Sequence, residues 1–481
     1  MKNVLKIVFK LTFCCLFPLI TIYAQVAKPQ AKPNILIILA DDMGYADLGC
    51  MGGDAETPHL DLLAKKGILF TNFYNNAKCA PSRASLMTGQ SPQRIGADHK
   101  AGNVNRGAMT IAEALKGEYT TLMVGKWHIK PAPLQMGFQR YFGAGLSAIH
   151  WWPTDEKQVR DIQLDGRTYA EKDMTVPVEK WYMETEHANY AMKFLQGEVV
   201  NKGTTKPFFL YYASHLPHWP LQAPRADVER YLNVFKSGTD AARKRRYDRM
   251  VALGIINPKI CSLSSIDEKS NSWDSFTTEE KEYYQQAMAV HTAMVYRLDV
   301  ELGRLFDYLK KNNLFDNTAI FFMSDNGASA ESVPATLPFG QQMGDRGTEK
   351  RINDVGAAVC NTPLRGHKST LYEGGIGTPM IFHWPKGIGK PGIVSKQAGS
   401  ICDIFPTVLD LANLHYPSEY EGRKLNQLDG QSLLPQLKKA PIVERKLLWN
   451  YEKFSAEIQG NLKALRLSPR GKDASRGLAT L

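Results

Sequence analysis

Four short apolar runs, each broken off by polar residues, constrain this 481-residue chain more than any other feature. Asn34-Ile35-Leu36-Ile37-Ile38-Leu39-Ala40 ends in Asp41-Asp42, and Thr121-Leu122-Met123-Val124-Gly125 ends in Lys126-Trp127-His128. Pro207-Phe208-Phe209-Leu210-Tyr211-Tyr212-Ala213 runs into Ser214-His215-Leu216-Pro217-His218, and Ala319-Ile320-Phe321-Phe322-Met323-Ser324 into Asp325-Asn326-Gly327. A continuous run of β-branched and aromatic residues has no polar face, so such a strand must be covered on both sides. The pattern predicts a mostly parallel, doubly wound sheet flanked by helices, with the polar residues gathered at the carboxyl ends of its strands.

Helical segments fall between these runs. Thr57-Pro58 opens one that Gly67 closes, with Pro at its first position. Thr110-Ile111-Ala112-Glu113 is a capping box that opens another. From about Glu282 to Lys311, Met288, Val295, Leu298, Leu302, Leu305 and Leu309 recur at steps of three and four, a long amphipathic packing helix. Pro224 to Ser275 is polar and basic and reads as a helical insertion. Ala328 to Cys360 is Gly-rich without periodicity and reads as a long loop of the kind that often carries substrate contacts. At 43% hydrophobic residues, the chain can bury one large α/β core plus a smaller appendage.

Residues 1–24 read as a secretory signal. Lys2, Lys6 and Lys10 make the basic region, Leu11 to Ile22 the apolar core, and Ala24 the cleavage point. A lipoprotein reading through Cys14 or Cys15 is weaker, because Phe13 is bulky and no polar tether follows. No later stretch is long enough to span a bilayer, so stable membrane insertion is not expected. Cys50, Cys79, Cys261, Cys360 and Cys402 then remain, an odd number that permits disulfides without assigning them. With no glycosylation sequon, a periplasmic or secreted bacterial protein fits best. The net charge of +11 favours anionic partners. Lys244-Arg245-Arg246 has no accompanying aromatic motif and reads as a solvated helix face, not a nucleic-acid site.

Two constellations carry chemistry. Asp41, Asp42, Asp325 and Asn326 supply three carboxylates and an amide oxygen, a hard cage suited to Ca²⁺ or Mg²⁺ and too poor in His and Cys for zinc. Cys79-Ala80-Pro81-Ser82-Arg83 would occur by chance in about one chain in a thousand of this length. The helix it leads into, through Thr88 and stopped by Gly89, would put Cys79 at an N-terminus that favours anions. A buried structural cysteine is the plain alternative; Pro81 and Arg83 argue against it.

Cys-x-Pro-Ser-Arg resembles the signature by which type I sulfatases convert cysteine to formylglycine (3-oxoalanine). Gly125-Lys126-Trp127-His128 resembles the same family's Gly-Lys-Trp-His, and the segment Leu364 to Gly375 resembles the one that supplies a second sulfate-binding lysine, here Lys368. The resemblance runs from about Pro33 to about Leu437 and is arylsulfatase-like. It implies an alkaline-phosphatase-like α/β fold and hydrolysis of sulfate monoesters on an aryl or sugar alcohol. It also implies a hydrated aldehyde at position 79, one hydroxyl attacking and the other later breaking the covalent intermediate.

By the same resemblance a single cation, usually calcium, is bound by Asp41, Asp42, Asp325, Asn326 and residue 79. Arg83 is a fixed cation beside the aldehyde. Lys126 and Lys368 hold sulfate, His128 takes a proton so that the aldehyde is regenerated, and His218 protonates the leaving alcohol. His215 is a weaker substrate-binding candidate. The implied partners are a sulfated small molecule or glycan and the maturase that makes formylglycine. Gly377 stands where relatives commonly carry Arg.

The expected organisation is a catalytic domain over 33–440 and, over 441–481, a remnant of the family's small C-terminal subdomain. Leu447-Leu448-Trp449-Asn450-Tyr451 starts it, and Lys463 to Lys472 begins like a strand and then loses alternation, which would leave a sheet edge uncovered. Two other readings stand beside the sulfatase: a phosphoester or phosphonate hydrolase of the same superfamily, against which Asn326 replaces a zinc-site His, and a non-catalytic binder of sulfated glycans.

Overall fold

In the computed structural model the described residues are 32–97, 102–153, 155–263, 272–336, 342–388, 392–437 and 444–466, with 476–480 described as backbone. The expected leader at 1–24 lies outside them. Among them, eleven strands make one mixed sheet: β1 (Asn34–Ala40), β2 (Ile68–Tyr74), β3 (Thr120–Gly125), β4 (Arg140–Ala144), β5 (Ile162–Leu164), β6 (Arg167–Thr168), β7 (Phe208–Ala213), β8 (Thr318–Ser324), β9 (Gly377–His383), β10 (Ile393–Ser395) and β11 (Gly399–Ser400). Their order is β10-β2-β9-β8-β1-β7-β3-β4-β5-β6, with β11 beside β2.

The four runs singled out in the sequence are β1, β3, β7 and β8, and they lie side by side, all parallel. Ile35 pairs with Phe209 and with Ala319, and Thr121 pairs with Phe209. Their carboxyl ends therefore open on the same edge. The sheet is not parallel throughout, since β9 runs antiparallel to both β8 and β2. Apolar content signals burial on both faces but carries no direction.

The two-residue period of a strand divides each run between two cores. Leu36 and Ile38 of β1, Leu210 and Tyr212 of β7, and Ile320 and Phe322 of β8 face one core. Ile37, Tyr211 and Phe321 face the other. The long helix Thr278–Lys311 covers the first with Leu298, Leu302 and Leu305. The helices Cys79–Thr88, Ile111–Leu115 and Ile404–Ala412 cover the second.

Local signals fixed several boundaries. Pro58–Lys66 and Ile111–Leu115 are helical, and Thr110 and Glu113 form the expected capping box. The long helix starts at Thr278 because Thr277 and Glu280 make a second capping box. The insertion contains helices Arg225–Glu229 and Thr239–Ala252. The expected loop 328–360 ends in a helix, Asn353–Cys360, in which Val355 and Val359 enter the core, a burial that Gly-rich composition hid.

At the C-terminus Lys446–Tyr451, Phe454–Gln459, Leu462–Arg466 and Arg476–Thr480 form a four-stranded antiparallel sheet. Alternation does not forecast the last strand. Leu462 pairs with Thr480 and Arg466 with Arg476, through a backbone ladder that needs no particular side chains. Leu447, Trp449, Tyr451 and Ile458 of this sheet form a third core with Tyr74, Leu371 and Ile376. The described residues contain no helix long and apolar enough to cross a membrane. Cys50, Cys79, Cys261, Cys360 and Cys402 are free thiols.

Candidate active site

The backbone ladder continues past the strand ends and places the polar residues. Asp325 N donates to Ala40 O (3.1 Å), Ser214 N to Leu39 O (2.9 Å) and Lys126 N to Ala213 O (2.8 Å). Gly125 makes the last of these approaches possible. Its φ is +102°, and a Cβ there would lie 1.8 Å from Ala213 O. Asp42 and His128 take left-handed conformations, φ 62° and 58°, each a cost of order 1 kcal/mol that the surrounding bonds must hold.

Cys79 is the first residue of the buried ten-residue helix Cys79–Thr88, which Gly89 ends in the left-handed region. Its Sγ lies within 4.8 Å of carboxylate oxygens of Asp41 and Asp325. Burial pushes the thiol's pKa up, with Lys126 and Lys368 opposing. As cysteine, this residue is a protonated and therefore poor nucleophile.

Three cations meet three carboxylates here. Arg83, wholly buried, brings Nε to 3.0 Å and Nη2 to 2.8 Å from Asp325 Oδ2, while Nη1 donates to Lys126 O at 2.8 Å. Lys126 Nζ bonds Asp41 Oδ2 at 2.5 Å, and Lys368 Nζ bonds Asp42 Oδ2 at 2.8 Å. Burial alone would raise the Asp41 carboxyl, but Lys126, His218, Arg83 and Lys368 outweigh it and hold the group well below its usual range. Asp42 is lowered against burial by Lys368 and His218. Asp325 goes the other way, to about 7, because burial and the charge of Asp41 exceed what Arg83 returns.

The donor set fits a hard divalent cation. Asp41 Oδ1 and Asn326 Oδ1 are buried without a hydrogen-bond partner, an expensive condition for polar atoms in a core. Asn326 Nδ2 donates to Asp42 Oδ1 at 2.7 Å, and Asp42 N donates to Asp325 Oδ1 at 3.2 Å, so these three residues are tied together beside Asp41. Asp41, Asp42, Asp325 and Asn326 would hold the ion, and its charge would relieve the repulsion of Asp325 by Asp41 and Asp42.

The histidines divide. His218 Nε2 sits 3.4 Å from Lys368 Nζ and 3.5 Å from Asp42 Oδ2, and its Nδ1 faces the Trp219 carbonyl, so Nδ1 carries the proton. Burial lowers its pKa, with Asp42 and Asp41 opposing. His128 is held well below its usual value by burial and by the charges of Lys126 and Arg83. His215 stacks on His187 with ring centroids 5.1 Å apart, and neither of its ring nitrogens has a hydrogen-bond partner.

Several positioning residues had no distinguishing sequence signal. Asn75 Nδ2 donates to Ser324 O and Thr378 Oγ1, while Ser324 Oγ donates to Asn326 O at 2.9 Å. Asn361 accepts from Ala328 N (3.0 Å) and donates to Gly366 O (3.1 Å). Lys368 N donates to Ala328 O and Ser369 N to Ala77 O, which ties the lysine loop to both other parts of the site. Near Gly377, Glu373 accepts from Lys463 Nζ of the C-terminal sheet at 2.5 Å.

The chain is similar to known proteins over most of its length. A family model described as Sulfatase matches residues 33–414. An arylsulfatase of Klebsiella aerogenes is 30% identical over 424 residues, 81% of this chain and 88% of that protein. An N-acetylgalactosamine-6-sulfatase of Sus scrofa is 31% identical over 450 residues, 88% of this chain and 69% of that protein. Among solved structures, Ps i-CgsB in complex with k-i-k-neocarrahexaose matches with a TM-score of 0.64 at 26% identity, covering 91% of this chain and 84% of that one. Since the match runs through all four strand ends and the Cys79 helix, the chain belongs to the sulfatase family, the hydrolases of sulfate esters.

Proposed function

We propose that residue 79 works as formylglycine, made from Cys79 by a dedicated maturase, and that Asp41, Asp42, Asp325, Asn326 and residue 79 hold one divalent cation, calcium, with magnesium as the alternative. The observation that carries this reading is a buried thiol, inert as a thiol, set among three carboxylates and three cations. When bound, the ion would neutralise carboxylate charge and polarise a sulfate oxygen, and the hydrated aldehyde would supply the nucleophilic hydroxyl.

The chain's own residues do the rest. Lys126 and Lys368 are anchored on Asp41 and Asp42 and are already oriented when sulfate enters, so they stabilise the growing charge without reorganising. Arg83 spans Asp325 and the Lys126 carbonyl and fixes the two strand ends relative to each other. His128, neutral through burial, can accept a proton from the hydroxyl at position 79. His218, its Nε2 3.4 Å from Lys368 Nζ, can pass a proton to the leaving alcohol. His215, packed on His187, serves structure.

The substrate class is a sulfated glycan or aryl sulfate. The porcine relative's name and the oligosaccharide in the Ps i-CgsB complex support the glycan. Export to a bacterial periplasm or beyond rests on Lys2, Lys6, Lys10 and the apolar run that follows. The decisive experiment is the mass of the tryptic peptide that begins at Cys79, from protein made in its native host. A peptide lighter by the thiol-to-aldehyde difference is expected, and an unmodified cysteine in active enzyme overturns the reading. Parallel rates on 4-nitrophenyl sulfate and 4-nitrophenyl phosphate should favour sulfate; a strong phosphate preference would reverse the assignment.

A further inference from the structure

A small pocket is lined by Asp42, Trp219, His291, Ser329 and Arg351, so one recess joins a carboxylate of the catalytic cluster to a cation that cluster does not use. Trp219 follows His218 directly, with ring centroids 4.8 Å apart. The Arg351 guanidinium lies 3.8 Å from the centroid of the Trp219 ring. Its backbone is fixed. The Arg351 carbonyl accepts from Tyr283 OH at 2.7 Å, Leu221 N donates to the Lys350 carbonyl at 2.9 Å, and Gln222 Nε2 donates to Thr348 O at 3.1 Å. The stretch carrying Arg351 is thus stitched to the one that leaves His218.

The side chain is less committed than the backbone. Arg351 Nε is buried without a hydrogen-bond partner. Nη1 meets Glu331 at 3.4 Å, with the two side chains 24% and 40% exposed. The exposed Glu349 also feels its charge. An ion pair that long and that exposed contributes under about 1 kcal/mol, so an incoming anion can displace Glu331. A guanidinium stacked on an indole keeps its planar fork of donors aligned, which suits a carboxylate or a sulfate better than a lysine would.

We propose that Arg351, backed by Trp219, is a specificity-determining residue that binds a second anionic group of the substrate, a carboxylate or another sulfate, while Lys126 and Lys368 hold the sulfate being removed. This rests on the sulfatase reading of the neighbouring site. The preferred substrate is then an acidic sugar carrying at least two anions, and Glu331 holds the second anion's place until it arrives.

The test compares wild type, Arg351→Met, Arg351→Lys and Glu331→Gln on four substrates. These are 4-nitrophenyl sulfate, a monosulfated neutral sugar, the same sugar with a second sulfate, and the monosulfated sugar linked to a uronic acid. Arg351→Met should lower kcat/KM on one of the two doubly anionic sugars about 10- to 100-fold more than on 4-nitrophenyl sulfate, the worth of a charge-assisted pair. The loss should lie mainly in KM, and which sugar suffers tells sulfate from carboxylate.

Arg351→Lys should fall between, and Glu331→Gln should raise kcat/KM on the affected sugar. Parallel losses on all four substrates, or a fall with Glu331→Gln, overturn the proposal. Equilibrium binding of the same sugars to Cys79→Ala, with and without Arg351→Met, reads the subsite independently of turnover. Selective loss of affinity there upholds it even if the chemistry assigned to residue 79 fails, and equal affinity refutes it.

Discussion

Replacing Arg83 by Met would remove the one guanidinium that both neutralises Asp325 and satisfies the Lys126 carbonyl, in a place where water cannot substitute. The Arg83 and Asp325 side chains are 0% exposed, and the contacts run at 2.8 to 3.0 Å. Breaking a buried pair from one side costs about 3–5 kcal/mol, and orphaning the carbonyl adds about 1 kcal/mol. The sum is a large share of the roughly 5–15 kcal/mol that holds a domain folded.

The loss should also depend on pH. Asp325 already titrates near 7, raised by burial and Asp41, and without Arg83 it must go higher. A carboxyl raised in the folded state stabilises below its unfolded value and loses that contribution as pH rises through the folded one. Wild type should therefore level off above pH 7, while Arg83→Met keeps losing about 1.4 kcal/mol per pH unit through pH 8. Urea unfolding in chelator, followed by tryptophan fluorescence, measures both quantities. The double variant Arg83→Met/Asp325→Asn should recover at least about 2 kcal/mol relative to the sum of the single changes. A cost under about 1 kcal/mol at pH 8, or strict additivity in the double variant, would refute this account of the pair.

Other outcomes are expected. Chelation should lower the Tm of protein purified with calcium, and restoring calcium should recover it, because Asp41, Asp42 and Asp325 are then left to repel one another; no shift in differential scanning calorimetry would count against the cage. Lys463→Met should lower kcat on 4-nitrophenyl sulfate several-fold without changing the mass at residue 79, since Lys463, nearly buried, holds Glu373 beside the Lys368 loop. Wild-type kinetics in that variant would show the C-terminal sheet to be a passenger. Asp299, buried and accepting from His59 N and Leu60 N, is pushed to about 7 by burial. Its contribution should be complete near pH 4 and lost by about pH 7, a fall of up to about 4 kcal/mol that Asp299→Asn should flatten in urea titrations at successive pH values.

Much of the main sheet could be read before any coordinates because each of its central strands is encoded locally. Ile35 to Leu39 can be buried only if both faces are covered, and Asp41 can follow only where the strand leaves the core. The capping box at Thr110 and the stop at Gly89 are likewise contacts within a few residues, and both formed as the sequence foretold. β9 was not legible as antiparallel, because direction depends on the connection and not on composition. The strand Arg476–Thr480 was missed because a backbone ladder recruited it without side-chain alternation.

The site divides along the same line. The chain by itself determined which groups are available: a cysteine in an unusual motif, acids and an amide after two strands, a lysine and histidines after two others. It did so because strand periodicity and turn chemistry act over a few residues. Only the tertiary structure decided that Arg83 grips Asp325 across 242 positions of sequence, that Lys368 comes to rest on Asp42, that His215 stacks on His187, and that Arg351 settles on Trp219. Those pairings depend on burial and distance between remote segments, quantities that exist only once the sheet has brought the strand ends together.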